Sequence, residues 1–174
     1  MHPLFLENFQ EIESILGYHF KNPHFLFQAL THSSYANENY LPSNERLEFL
    51  GDIILGFVVS EYLFNLTPEL DEAEMSKIRA FLISRKFLAM LSRRLFIGRF
   101  IFLGKGEKLS GGFDKESILA NTMEAIIGAI YLDGGITAVK NFLIPIVSEI
   151  FASEPFLLSE AQGFLQSHQN RQSL

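Results

Sequence analysis

Two long stretches of this chain are apolar on nearly every side of a helix yet hold acids inside them, a combination that narrows the fold more than any other feature. The first runs NERLEFLGD from Asn44 to Asp52 and continues as IILGFVVSEYLF to Phe64; the second is ESILANTMEAIIGAIYLDGG, Glu116 to Gly135. At helical spacing Glu45, Glu48 and Asp52 fall at i, i+3 and i+7 along one face, and Asn121 and Glu124 repeat the design at i, i+3. Helices apolar all round have to be buried, so these two are expected side by side at the centre of an all-α helical bundle.

Acids embedded in such helices need partners. Asp52 lies about two turns into its helix and is followed directly by IILGF, while Glu124 sits between Met123 and AIIGAIYL. An unpaired carboxylate there would carry a desolvation cost of several kcal/mol, and basic residues are scarce within both segments. Hard oxygen donors suit Mg²⁺ or Mn²⁺, and Mg²⁺ takes few carboxylates, filling its shell with water and phosphate oxygens. The plainer reading is that Glu45, Glu48 and Asp52 form an acidic first turn favoured by the helix dipole, with Arg46 as a salt-bridging neighbour. It weakens toward Asp52 and does not reach Glu124.

The rest of the chain also reads as helix. Apolar residues at Phe9, Ile12, Ile15 and Leu16 predict a helix from Glu7 that ends at Gly17, and Pro23 starts a second that runs to about His32. Asn37 to Ser43 reads as a loop, the first acidic helix stops at Thr67-Pro68, and Asp71 with Glu74 has the spacing of a capping box opening a helix to about Arg94. Phe96 to Leu103 fits helix or strand, and GKGEKLSGG from Gly104 to Gly112 reads as a glycine-rich loop. The second acidic helix is expected over Lys115 to Leu132, ending at Gly134-Gly135, with a last helix from Thr137 to about Ala152 kinked at Pro145. Apolar periodicity then fades, which predicts one domain over 1–152 and a tail or linker over 153–174.

A chain of 174 residues with 48% hydrophobic residues and a slightly positive mean hydropathy can bury a sizeable core, which excludes wholesale disorder. Cysteine is absent, which removes disulfides, thiolate metal sites and cysteine nucleophiles and fits a cytoplasmic setting. The start, MHPLFLENFQEIE, lacks a basic region, and charges or breakers punctuate every apolar run, so neither a secretory signal nor a membrane span is expected. A net charge of −6 counts against binding nucleic acid by electrostatics alone, although acidic clusters that recruit divalent cations would reverse the local sign.

The two acidic segments, together with Thr31-His32-Ser33, DEAEMSKIRA from Asp71 to Ala80 and the GKGEKLSGG loop, resemble the signature blocks of the ribonuclease III endonuclease domain, in the same order, up to about residue 152. The resemblance implies an all-helical, homodimeric endonuclease domain that cuts double-stranded RNA with Mg²⁺, for which Mn²⁺ can substitute. Its products would carry 5′-phosphates and 3′-hydroxyls with short 3′ overhangs, as in rRNA and mRNA processing. It implies no membrane and no small-molecule cofactor.

By the same resemblance Glu48, Asp52, Asn121 and Glu124 would hold the metal, Asp52 and Glu124 being catalytic. Glu45 and Glu72 would line the cleft, Lys105, Lys108, Gly111 and Gly112 would approach RNA, and Phe49 would enter a socket on the other subunit. From the sequence alone Phe49 reads as core, the loop as a turn, and His32 as a hydrogen bonder at a helix end.

The chain departs from the family pattern twice. Asn121 stands where the family usually has aspartate, which keeps a carbonyl oxygen but removes a charge; a unit pair near 4 Å is worth about 4 kcal/mol at an effective dielectric of about 20. The double-stranded RNA-binding domain that usually follows is not among these 174 residues, as expected either of a truncated chain or of a naturally short protein. Two other readings therefore stand beside the nuclease: an impaired or inactive double-stranded RNA-binding protein on the same fold, motivated by Asn121, and a helical protein-interaction dimer, motivated by the negative charge.

Overall fold

The computed structural model describes residues 3–66 and 70–153. In chain order it contains α1 (Pro3–Leu16), α2 (Pro23–Ala29), α3 (Ser33–Asn39), α4 (Glu45–Phe64), α5 (Glu72–Leu82), α6 (Arg85–Arg94), α7 (Lys105–Leu109) and α8 (Glu116–Ser153), with 3₁₀ turns at Ile97–Phe100 and Gly112–Asp114. Apart from an isolated parallel bridge between Thr31 and Phe102, the described residues are helix and connection, so the all-α expectation holds. The stop expected at Thr67-Pro68 and the tail beyond residue 153 lie outside the described residues.

Local chemistry sets several helix starts. Asn22 caps α2 by accepting the His24 N–H at 3.1 Å, with Pro23 in the first turn. His32 Nδ1 accepts the Ser34 N–H at 3.2 Å and caps α3, the helix-end role expected of it. Asp71 and Glu74 exchange the two bonds of a capping box at 2.8 and 2.9 Å. Gly17, at φ 60°, ends α1.

Four expectations change. The single helix from Asp71 to Arg94 is two, because Ser84 accepts the Phe87 N–H at 3.2 Å and opens α6 after a turn at Ile83. Asn37 to Asn39, read as loop, complete α3. The glycine-rich loop contains α7, and the apolar segment before it combines a 3₁₀ turn with the bridge, where Phe102 donates to the Leu30 carbonyl and accepts from the His32 N–H. The break expected at Pro145 is absent, since Pro145 sits within helical backbone, whereas α8 is two helices that meet at Gly135 (φ 74°, ψ −175°), where the glycine pair foretold the break.

The core forms where α4 crosses α8. Leu55, Val58 and Leu63 of α4 and Met123, Ile126, Ile127 and Ile130 of α8 are buried, and Leu26 of α2 with Leu88 and Leu91 of α6 close over them. The two central apolar helices are thus neighbours, as expected. By length and composition alone α8 is long and apolar enough to cross a membrane over Glu116–Ile150, although Glu124, Asp133 and Lys140 interrupt it, so the expectation that no uninterrupted apolar run reaches that length stands. The first half of α8 owes its apolarity to the core, since Ile118, Leu119 and Ala120 are buried with the residues above. Asp133 fastens α8 to the α1–α2 connection, accepting from the Tyr18 hydroxyl (2.7 Å) and from the N–H groups of Lys21 and Asn22 (2.8 Å each).

Candidate active site

The crossing of α4 over α8 is a backbone contact made by glycine. A Cβ on Gly51 would lie 2.6 Å from the Glu124 carbonyl carbon and overlap its oxygen, and a Cβ on Gly128 would overlap the Leu47 carbonyl oxygen. Each helix therefore brings its acids to the same side of the crossing. Gly51 lies between Glu48 and Asp52, and the carbonyl it touches belongs to Glu124 itself.

Beside this crossing is a concavity of about 480 Å³ lined by Glu45, Glu48, Phe49 and Asp52 of α4, Asn121 and Glu124 of α8, and His32, Ser33 and Asn44 of the segments leading into α3 and α4. Glu48, Asn121 and Glu124 are half-buried, while Glu45 and Asp52 are exposed. The desolvation argument made for Asp52 therefore fails: its row on α4 faces outward, and an apolar sequence after it does not bury it. For Glu124 the argument holds. Burial first, then the charges of Asp52 and Glu48, push its carboxyl up to about 7, against a partial pull from Arg85. Glu48 is raised by burial and by Glu45, and held down by a hydrogen bond from the Asn121 amide and by Arg85.

Glu48, Asp52, Asn121 and Glu124, far apart in sequence, thus line one cleft. They do not converge on a point: among the described residues no three His, Cys, Asp or Glu side chains are grouped closely enough to hold an ion as they stand. The chemistry of the donors nonetheless fits a hard cation, being carboxylate oxygens and one amide carbonyl around a carboxyl that resists ionisation when alone. The Asn121 amide also hydrogen-bonds Glu48, which links the two helices at the cleft.

The remaining predicted residues disperse. Glu72 lies apart from this cleft, bound by the Ser76 hydroxyl at 2.7 Å and lining a small hollow with Phe64 and Arg79. Lys105 and Lys108 are exposed on α7. Gly111 takes a left-handed φ of 75°, but Gly112 is buried, and a Cβ there would stand 2.7 Å from Glu107 Cγ; its lack of a side chain serves internal packing rather than approach by RNA. Lys115, not among the predicted residues, is exposed and pairs with Glu107 at 2.5 Å. Phe49, read from the residues alone as core, is 73% exposed.

Arg85 was missed. It acts on both Glu48 and Glu124 from the start of α6, and its place depends on the chain turning at Ser84. The available signal was a serine in the N-cap position before RKF. Ser33, from the Thr31-His32-Ser33 block, and Asn44, the first residue of NERLEFLGD, also line the cleft, although the sequence reading gave neither a role.

An all-helical domain with acids gathered where two central helices touch through glycine defines the class. Residues 22–150 match the family model described as Ribonuclease-III-like, and the chain belongs to that family. Ribonuclease 3 of Caldanaerobacter subterraneus subsp. tengcongensis is 47% identical over 141 residues, covering 80% of this chain and 62% of that protein. Ribonuclease 3 of Thermobifida fusca is 54% identical over 115 residues, covering 66% and 48%. Among solved structures the nuclease domain of ribonuclease III from Campylobacter jejuni superposes with a TM-score of 0.77 at 40% identity, covering 83% of this chain and 99% of that one. The chain spans about three fifths of the length of the first of these curated relatives.

Proposed function

We propose that this chain is an endoribonuclease that hydrolyses double-stranded RNA with Mg²⁺ as a homodimer. The observation that carries the reading is Glu124: a half-buried carboxyl pushed up to about 7, backed against the glycine contact and facing Glu48 and Asp52. A carboxyl so placed is costly unless a cation meets it. Glu48, Asp52 and Glu124 would hold the metal, with the Asn121 carbonyl as a neutral fourth donor. When bound, the metal would supply an acidified water as nucleophile and a counter-charge for the leaving 3′-oxygen, giving 5′-phosphate and 3′-hydroxyl ends.

The chain's own residues do the rest. Glu45 and Glu48 set the field at the cleft mouth, Arg85 tempers it, and Lys105 with Lys108 offers cations to the phosphate backbone. The homodimer is supported by the outer face of α4, where Phe49, Ile53, Phe57 and Phe64 stand exposed in one row. The Campylobacter nuclease domain is likewise described as having a region involved in dimer formation. Domain limits of 1–152, a cytoplasmic setting and independence of any membrane belong to the same reading.

A second reading is favoured by Asn121 alone: an uncharged amide bonded to Glu48 leaves three carboxylates, and the fold then binds duplex RNA without cutting it. One experiment separates the two. The chain and its Asn121→Asp variant are incubated with long duplex RNA across a Mg²⁺ titration, and both are expected to cut, the variant at lower metal. Cutting by the variant alone establishes the silent reading for the chain as written; RNA left whole by both at high metal and enzyme defeats the nuclease.

A further inference from the structure

Two residues other than glycine hold a positive φ among the described residues, Tyr40 (54°) and Phe96 (53°), and both are exposed aromatics. Tyr40 closes α3: its N–H and that of Leu41 both donate to the Ala36 carbonyl, a left-handed helix end at which glycine or asparagine is the ordinary choice and a Cβ is a cost. Its side chain is 98% exposed. Backbone geometry disfavours a tyrosine here and packing does not require one.

The position of this tip is informative. Two residues before Tyr40, Glu38 Oε1 accepts the Lys105 N–H at 2.9 Å, which ties α3 to α7; three residues after it, the Ser43 hydroxyl donates to Glu45 at 2.8 Å on the rim of the acidic cleft. Tyr40 therefore stands on the surface between the lysine-bearing helix and the site where phosphodiester chemistry is proposed.

We propose that the Tyr40 tip is a contact surface for the minor groove of an RNA duplex, with the phenol hydroxyl bonding a ribose 2′-hydroxyl. This rests on the functional reading above and adds to it the feature by which RNA is recognised. An A-form duplex has a wide, shallow minor groove lined with 2′-hydroxyls, accessible to a projecting side chain. Tyrosine suits that surface, being a rigid apolar ring with a hydrogen-bonding end.

Phe96 is the matched control. It ends α6 in the same left-handed conformation with an exposed ring, but it lines a different hollow, with Arg93 and Asp114, away from the cleft. The test measures binding of the whole chain to a long RNA duplex and to its 2′-O-methylated counterpart, with Ca²⁺ in place of Mg²⁺ to separate binding from cutting, alongside melting temperatures. Tyr40→Gly is expected to keep or raise the melting temperature while weakening RNA binding by about fivefold or more. Tyr40→Phe is expected to narrow the preference for unmethylated RNA, and Phe96→Gly to leave binding unchanged. If Tyr40→Gly binds like the parent, or Phe96→Gly loses as much, the proposal is overturned while the functional reading stands. If the parent chain retains no duplex, both fall.

Discussion

At the scale of single residues, Glu124 carries a marked electrostatic consequence of the fold. Its ordinary value of 4.5 rises to about 7 in the fold, so over the interval between them the folded state keeps a proton that the unfolded chain has released. Its contribution to stability is complete below about pH 4.5 and is lost as pH climbs through 7; Glu48, also raised, acts in the same direction. Asp133, held low by Tyr18 and backbone donors, works in the opposite sense and only toward acid. The metal-free melting temperature is therefore expected to fall between pH 5 and pH 8, more steeply than in Glu124→Gln, while affinity for Mg²⁺ rises over the same window. Melting curves in chelator and calorimetric titration check both; a slope unchanged by Glu124→Gln would show that another group titrates. The sequence identified Glu124 as an acid in apolar surroundings, and correctly. It misread Asp52 and Phe49 because periodicity reports which residues are apolar, not which side of a helix the rest of the chain covers.

Among the elements, α4 and α8 and their glycine contact decide the geometry of the cleft. Gly51→Ala is expected to force the helices apart, costing about 2–4 kcal/mol and lowering the melting temperature by roughly 5–15 °C, with loss of cleavage. Gly106→Ala is the control, since a Cβ there meets nothing within 4 Å and stability should hold within about 0.5 kcal/mol. Circular dichroism melts of the two variants decide whether the contact has this weight. Nothing in the periodicity of NERLEFLGD marks Gly51 as a crossing point; its close approach to Glu124 comes from a residue more than seventy positions away. The turn at Ser84, which releases Arg85 toward the acids, was hidden for a related reason. Amphipathy continues through it, and only the cap bond at Phe87 shows where one helix ends and another starts.

For the molecule as a whole, the outer face of α4 is the feature that a single chain leaves unexplained. Four large apolar side chains stand in a row beside the cleft, more than scattered surface hydrophobics account for. Ile53→Glu with Phe57→Glu is expected to yield a folded monomer by sedimentation velocity, with helicity retained because both side chains are exposed in the single chain, and with cleavage abolished. A variant that stays dimeric and active would place the subunit contact elsewhere. Glu72, remote from the cleft within one chain, lines the hollow next to Phe64 at one end of this row.

By itself the sequence determined the class of the protein: helices with acids at fixed spacing, two of them too apolar to lie anywhere but the centre, and a motif order that the family shares. Those are properties of single segments and their period, which local sequence encodes directly. Only the tertiary structure decided that Asp52 is exposed and Glu124 half-buried, that Gly51 touches the backbone of Glu124, that Arg85 faces the acids, and that Gly112 packs inward. Each depends on which surface of one helix meets another, and that is settled by packing over the whole chain rather than by any stretch of it.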